Sequence, residues 1–247
     1  MNGKSFLFTT IAVCSIASMV LFTACKKSNM NNNSDVPVAG LMTVNLVPSK
    51  TVAFTIGGNV LGSALLPNSY SGAYLSIYPG QRTIESFDYN ANASLATASD
   101  SFEVNKFYSV FILGTTGAYQ NIIVNDNFDN LTNAGQAYVR YINAINGSTN
   151  ATVTISGSNA NNSPAVFGNV SDFVAVTPGS TTITVSDGSS LNLNRTITTE
   201  ANTVYTVLLS PGATSADAAQ IKYIVNGKLD NVSGQRVSAA SQTATVK

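Results

Sequence analysis

Histidine is absent from all 247 residues, which removes much of the usual repertoire of enzyme chemistry at once. Without an imidazole there is no Ser-His-Asp or Cys-His nucleophile pair, and no imidazole ligand for a metal ion. The two cysteines, Cys14 and Cys25, both lie near the N-terminus, so the body of the chain carries no thiol nucleophile. Carboxylates are what remain for proton transfer. Glu85 with Asp88, Asp100 with Glu103 and Asp126 with Asp129 are close pairs of the kind a glycosidase uses. Each stands in or beside an expected turn, where acidic residues cap and solvate the backbone, and we expect no catalytic site. The run Asn125-Asp126-Asn127-Phe128-Asp129-Asn130 is oxygen-rich and raises calcium, a cation that takes roughly six to eight oxygens. The spacing of a full calcium loop is missing, and a later matching run brings in Lys228. Asp129 and Asp230 therefore read as turn-formers, and neither a metal nor a cofactor is expected. Among the aromatic residues, Tyr70, Tyr74, Tyr78, Tyr89 and Tyr119 would suit stacking on sugar rings. Tyr70 and Tyr119 have loop-like surroundings and are the expected surface members, whereas Tyr74 is expected in a core.

The remaining reactive residue is Cys25, and its setting is that of an address. Lys4 supplies a positive start, Phe6 to Phe22 is mostly apolar and uncharged, and small Thr23 and Ala24 precede the cysteine. Charge, apolar run and small-residue exit together describe a secretory signal peptide over 1–24. Phe22-Thr23-Ala24-Cys25 resembles a bacterial lipobox, with phenylalanine where leucine is usual. That resemblance implies cleavage before Cys25 and acylation, palmitate included, of its thiol and amine. Two or more acyl chains hold a protein stably on a membrane. The polar stretch 25–37 then reads as the lipidated cysteine and a flexible tether. Two other readings of the run remain: an uncleaved span near the lower length limit, and a plain secretory site with Cys25 incidental.

The elements that would carry any site are strands. Apolar residues make up 44% of the chain, enough to supply a core, while charged residues make up only 10% and balance to zero. That balance argues against a nucleic-acid binder, which normally carries a basic patch or stripe. Asn, Ser, Thr and Gly dominate the rest and favour turns and exposed strand faces. The chain also repeats itself. Placing Tyr74 on Phe173 aligns the segment ending Pro79-Gly80 with the one ending Pro178-Gly179. Glu103-Val-Asn105-Lys-Phe-Tyr108-Ser-Val110 then matches Glu200-Ala-Asn202-Thr-Val-Tyr205-Thr-Val207, and Ile123-Val124-Asn125 is placed on Ile224-Val225-Asn226. Val52, Phe54 and Ile56 alternate as on a half-buried strand, as do Val153 and Ile155. The Pro-Gly pairs mark turns between strands, and Asn226-Gly227 is expected to form a hairpin turn, with Asn125-Asp126 its weaker counterpart. The expected fold is all-β: two tandem immunoglobulin-like β-sandwich domains, at 38–130 and 134–247. The boundary falls in 127–136, so short that the two modules touch. Beyond Asn231, Gly234-Gln235 echoes Gly135-Gln136 like the start of a further copy.

Ala137-Tyr-Val-Arg140-Tyr-Ile-Asn143-Ala144, the Pro-Gly connection and the Glu-x-Asn-x-x-Tyr-x-Val strand resemble the Ig-like domain-of-unknown-function 4397 family. Copy one has Met42 where copy two has Arg140, and the family's usual Ser-Pro-Asp-Ala-Pro stretch is missing. The resemblance implies fold and a bacterial surface-lipoprotein setting, without an activity. The expected function is a non-catalytic interaction or structural module on the cell envelope, anchored at Cys25 in the outer membrane of a Gram-negative cell. Its expected partners are the membrane, through the lipid, and an envelope or host polymer or glycan. The alternative is a glycan-binding accessory subunit or a carboxylate-dependent glycan-processing enzyme.

Overall fold

The computed structural model describes residues 36–132, 135–148, 150–160 and 162–229. Cys25, the signal peptide, nearly all of the tether, Asp230 and the tail lie outside them. None of the described residues forms a helix long and apolar enough to cross a membrane.

Two kinds of strand pattern occur, and they decide which sheets lie inside. The first kind alternates. Strand β14 (Gly179–Ser186) buries Thr181, Ile183 and Val185 and leaves the residues between them half exposed. Strands β6 (Gly80–Asp88), β7 (Ala93–Phe102) and β15 (Asn192–Thr199) alternate over at least part of their length. Such strands have one wet face. The second kind is buried on both faces. It comprises β1 (Ala39–Asn45), β8 (Phe107–Thr115), β10 (Ala137–Asn143) and β16 (Thr203–Ser210), whose residues are nearly all buried.

The other strands complete four sheets. In the first repeat, β2 (Val52–Ile56) and β3 (Asn59–Leu65) join β6 and β7 in the order β3-β2-β6-β7. Facing them, β4 (Ser69–Tyr70), β5 (Leu75–Ile77) and β9 (Ala118–Asn125) join β1 and β8 as β4-β1-β8-β9, with β5 also on β1. The second repeat builds β12-β11-β14-β15 from β11 (Thr152–Ile155) and β12 (Ser163–Pro164). It builds β13-β10-β16-β17 from β13 (Val174–Val176) and β17 (Gln220–Lys228). The bridge Ile142–Val170 stands where the first repeat has β4.

Each repeat is thus a sandwich with its own core. Leu41, Phe54, Ile84, Phe102 and Ile112 fill the first, and Val139, Ile155, Ile183, Val207 and Leu209 fill the second. A third core lies between the sandwiches. Met42, Val44, Phe111 and Leu113 from one repeat pack there with Tyr138, Ile142, Val204 and Leu208 from the other. Alternate residues of β1, β8, β10 and β16 therefore serve two cores at once, so these strands have no wet face. The described residues from Pro37 onward belong to one compact unit of four stacked sheets.

The sequence expectation of an all-β, two-sandwich chain holds, with four local corrections. The central pairs β1–β8 and β10–β16 are parallel, unlike the all-antiparallel sheets of an immunoglobulin domain. Asn226-Gly227 makes no hairpin turn; it sits inside β17 at a register shift opposite Val204 and Tyr205. Strand pairing also moves the last alignment by one residue. Ser109 faces Val124 and Thr206 faces Ile224, which makes Asp126 the counterpart of Asn226. Tyr70, expected at the surface, is buried in the core between the sandwiches.

Two of the repeated motifs have direct mechanical roles. In Glu-x-Asn-x-x-Tyr, the asparagine takes positive φ (61° at Asn105, 56° at Asn202), which lets the chain turn into β8 or β16. The tyrosine hydroxyl then accepts the glutamate N–H, at 3.0 Å from Glu103 and 2.9 Å from Glu200. In Tyr-Ile-Asn143, the buried amide donates to Ala165 O and Ser148 Oγ and accepts from Ile145 N, tying down the loop after β10. Asn45 does the same for Lys50 O, Leu65 O and Val47 N.

Candidate functional site: the seam between the repeats

Equivalent positions of the two repeats meet across the seam, but with different residues. Met42 stands opposite Ser109 on β8, as Arg140 stands opposite Thr206 on β16. Asp126 and Asn226 are the second such pair, and Tyr74 and Phe173 the third. The Met42–Arg140 difference, visible in the sequence, acquires its purpose here. The structure places Arg140 Nη2 2.5 Å from Asp126 Oδ1, with the two side chains 3% and 0% exposed. The contact is an ion pair off the hydrogen-bonding direction, since Oδ1 accepts no aligned bond. Oδ2 takes the aligned bonds, from Tyr74 Oη at 2.5 Å and Ser109 Oγ at 2.6 Å.

The network continues through the second repeat. Arg140 Nε donates to Thr206 Oγ1 at 3.0 Å, and Thr206 Oγ1 donates to Asn226 Oδ1 at 2.6 Å. Asn226 Nδ2 closes the ring by donating to Tyr74 Oη at 3.0 Å. The guanidinium also lies over the Phe173 ring, 4.5 Å from its centroid. Burial first, and the Asp126 carboxylate second, push the Tyr74 hydroxyl well above its ordinary pKa, so it remains a donor. A buried charge is costly unless paired and hydrogen-bonded, and here both ions meet that condition only when the repeats are docked.

Phe128 seals the seam. It lies in the stretch read as a polar boundary, yet it is buried and packs on Tyr74, Phe107 and Phe173 with ring centroids 6.2, 5.6 and 5.8 Å apart. A phenylalanine among Asn and Asp was the one available signal that this linker is fastened down.

Next to the network, a cleft of about 340 Å³ opens to solvent. Arg140 and Phe173 form part of its lining, together with Asn125, Asn127, Asn130 and Asp172. A second cleft of about 210 Å³ adjoins it, sharing Ser171 and Asp172 and running over Tyr141, Ile155 and Ala160.

Neither Glu85 with Asp88 nor Asp126 with Asp129 is brought together as a carboxylate pair, and Asp100 Oδ1 accepts from the N–H of Ser101 at 2.7 Å. Asp88 is buried with Lys50 Nζ at 2.5 Å, and that hydrogen bond holds its carboxyl below the ordinary value. Glu85 has the opposite strand parity on β6 and does not join it. Asp126 is committed to Arg140, and Asp129 is bonded to Lys106. Glu200, at the position matching Glu103, pairs with Lys228 at 3.0 Å. No group of three or more acidic or cysteine side chains that could hold a metal occurs among the described residues. Of the tyrosines, Tyr74 is in the seam core, as expected, while Tyr78 and Tyr89 are the exposed ones.

Comparison with known families agrees with the internal repeat. No curated protein matches the chain in sequence. The model of a domain of unknown function, DUF4397, matches twice, at residues 39–145 and 137–237. The two matches together span most of the chain and follow the two sandwiches, so this protein belongs to the DUF4397 family as a tandem of two such domains.

Proposed function

We propose that this protein is a non-catalytic binding or structural module of the bacterial cell envelope, held on the membrane by acyl chains at Cys25. The observation that carries the reading is how the buried ions are used. Among the described residues Asp126 and Arg140 form the most deeply buried ion pair, and it joins one repeat to the other rather than facing a reacting group. A fused pair of sandwiches is a rigid body, suited to presenting fixed surfaces. The absence of histidine removes the commonest proton shuttle at neutral pH. The uncharged, Asn-, Ser- and Thr-rich character suits hydrogen bonding to neutral partners in an envelope or host polymer. Thr23-Ala24-Cys25 supports acylation and export.

Two measurements test the two halves of this reading. Cells expressing wild type and Cys25→Ser are labelled with a fatty-acid analogue and partitioned into detergent. The expected result is label and membrane retention only in the wild type; equal retention without label in either overturns the anchor. The purified chain is also screened against glycosidase, esterase and peptidase substrates. Turnover that disappears on replacing Glu85, Asp88, Asp100 or Glu103 overturns the non-catalytic half.

A further inference from the structure

We infer that the cleft at the seam is a binding site for a neutral, hydroxyl-rich ligand, a saccharide unit of a larger glycan. This deepens the non-catalytic reading above and rests on it.

The first observation is an incomplete arginine. Arg140 is 2% exposed, yet it lines the cleft. A guanidinium has five N–H donors. The partners of Arg140 engage Nε and Nη2: Thr206 on the former, Ser109 and Asp126 on the latter. Among the described residues Nη1 has no acceptor. Nη1 is not among the sealed, unpartnered polar atoms, so it meets the cleft, where a ligand oxygen can take the place of water.

The second observation is charge. Asp126 already offsets the arginine, and the exposed Asp172 adds a carboxylate at the cleft. An anionic ligand would therefore meet a surplus of negative charge. A neutral hydroxyl can both accept from a guanidinium and donate to a carboxylate, and the cleft carries one of each. The amides of Asn125 and Asn130, both exposed, supply donors and acceptors together. Phe173 contributes an apolar ring, fixed in place by Phe128 and by the guanidinium over it. Neutral polar edges around an aromatic ring match the chemistry of a sugar. The adjoining cleft beyond Ser171 and Asp172 continues the groove, which favours an oligomer over a single unit.

The third observation fixes the stoichiometry. The first repeat has Met42 at the place of Arg140, so it cannot build the same donor. One site per chain follows, despite two copies of the domain.

The test uses the full chain purified in detergent and an array of neutral, acidic and basic oligosaccharides, followed by titration calorimetry on whatever is retained. We expect neutral members to bind, acidic ones to be rejected, and one site per chain. Asn130→Ala, Asn125→Ala and Asp172→Ala should each weaken binding roughly 3- to 10-fold, the value of a single hydrogen bond, without moving the melting temperature. These residues sit outside the seam network, so loss of folding does not confound the result. No neutral saccharide binding at millimolar concentration, acidic ligands preferred, two sites per chain, or affinity unmoved by all three variants each overturns the site. None of these outcomes bears on the lipid label or the hydrolase screen, so the two readings fail separately.

Discussion

Replacing Arg140 by methionine and Asp126 by asparagine gives the two charged positions of the seam the residues of their counterparts, Met42 and Asn226. Singly, each change strands a charge. Arg140→Met leaves Asp126, with a fully buried carboxylate, holding only hydroxyl donors. It also removes the bond to Thr206 and the contact over Phe173. Asp126→Asn leaves a guanidinium that is 3% exposed without its counter-ion. Breaking a buried pair from one side costs about 3–5 kcal/mol. In a chain of this size that lowers the melting temperature by about 10 °C. The double variant strands no charge and should lose only about 1–3 kcal/mol, because the hydroxyl and amide groups around it can still bond among themselves. The double-mutant cycle should therefore show a coupling of about 3 kcal/mol or more, measured by urea unfolding of the full chain. Additive single changes, each below about 1 kcal/mol, would refute the claim that this pair is desolvated and joins the repeats.

Three further outcomes follow from the same geometry. Fragments 38–130 and 134–247 each keep an inner core, so both should show β-type circular dichroism; each should also bind a hydrophobic dye through its uncovered seam face and lose that signal on mixing. The mixture should form a one-to-one complex in preference to either homodimer, since two copies of Asp126 or of Arg140 would face each other unpaired, and sedimentation of the mixture decides this. Tyr70→Phe should raise stability by about 1 kcal/mol, because the buried hydroxyl has no partner among the described residues; a loss of that size by urea titration would contradict it. Burial pushes the Tyr70 hydroxyl up to about 12, so the stability tied to its neutral form is complete below the ordinary value of 10.0 and is lost as pH rises towards 12. Asp88 has the opposite sign: its carboxyl is held below the ordinary 3.8, so its contribution is present above that value and is lost as pH falls through the lowered one. Lys50→Met should flatten that acid limb in a stability-versus-pH series, and an unchanged limb would count against the pairing.

Much of this protein can be read from residue order, because the signals involved are local. Alternation in the segments that become β11 and β14, and the apolar stretches Val110–Leu113 in β8 and Val207–Leu209 in β16, follow from a strand's two-residue period and from whether water meets one face or neither. Pro79-Gly80, Pro178-Gly179 and the Glu-x-Asn-x-x-Tyr corner announce themselves because backbone torsion at those points depends on one or two neighbouring residues. Repetition of these signals in the same order was enough for two sandwiches. The seam lay beyond such reading. A run like Ala137-Tyr-Val-Arg140-Tyr-Ile-Asn143 shows that both faces are buried but does not say that one of them meets another repeat. Asp126 looks like any turn aspartate until β9 ends beside Tyr74 and Ser109, and Arg140 looks exposed until its counter-ion arrives from a different repeat. The one-residue slip at Asn226 has the same origin, since a bulge in β17 is set by its pairing with β16 and not by its own residues. Local order therefore determined the strands, the corners and the duplication. Docking of the repeats decided which polar residues lost their water, and with that which of them are available to bind anything.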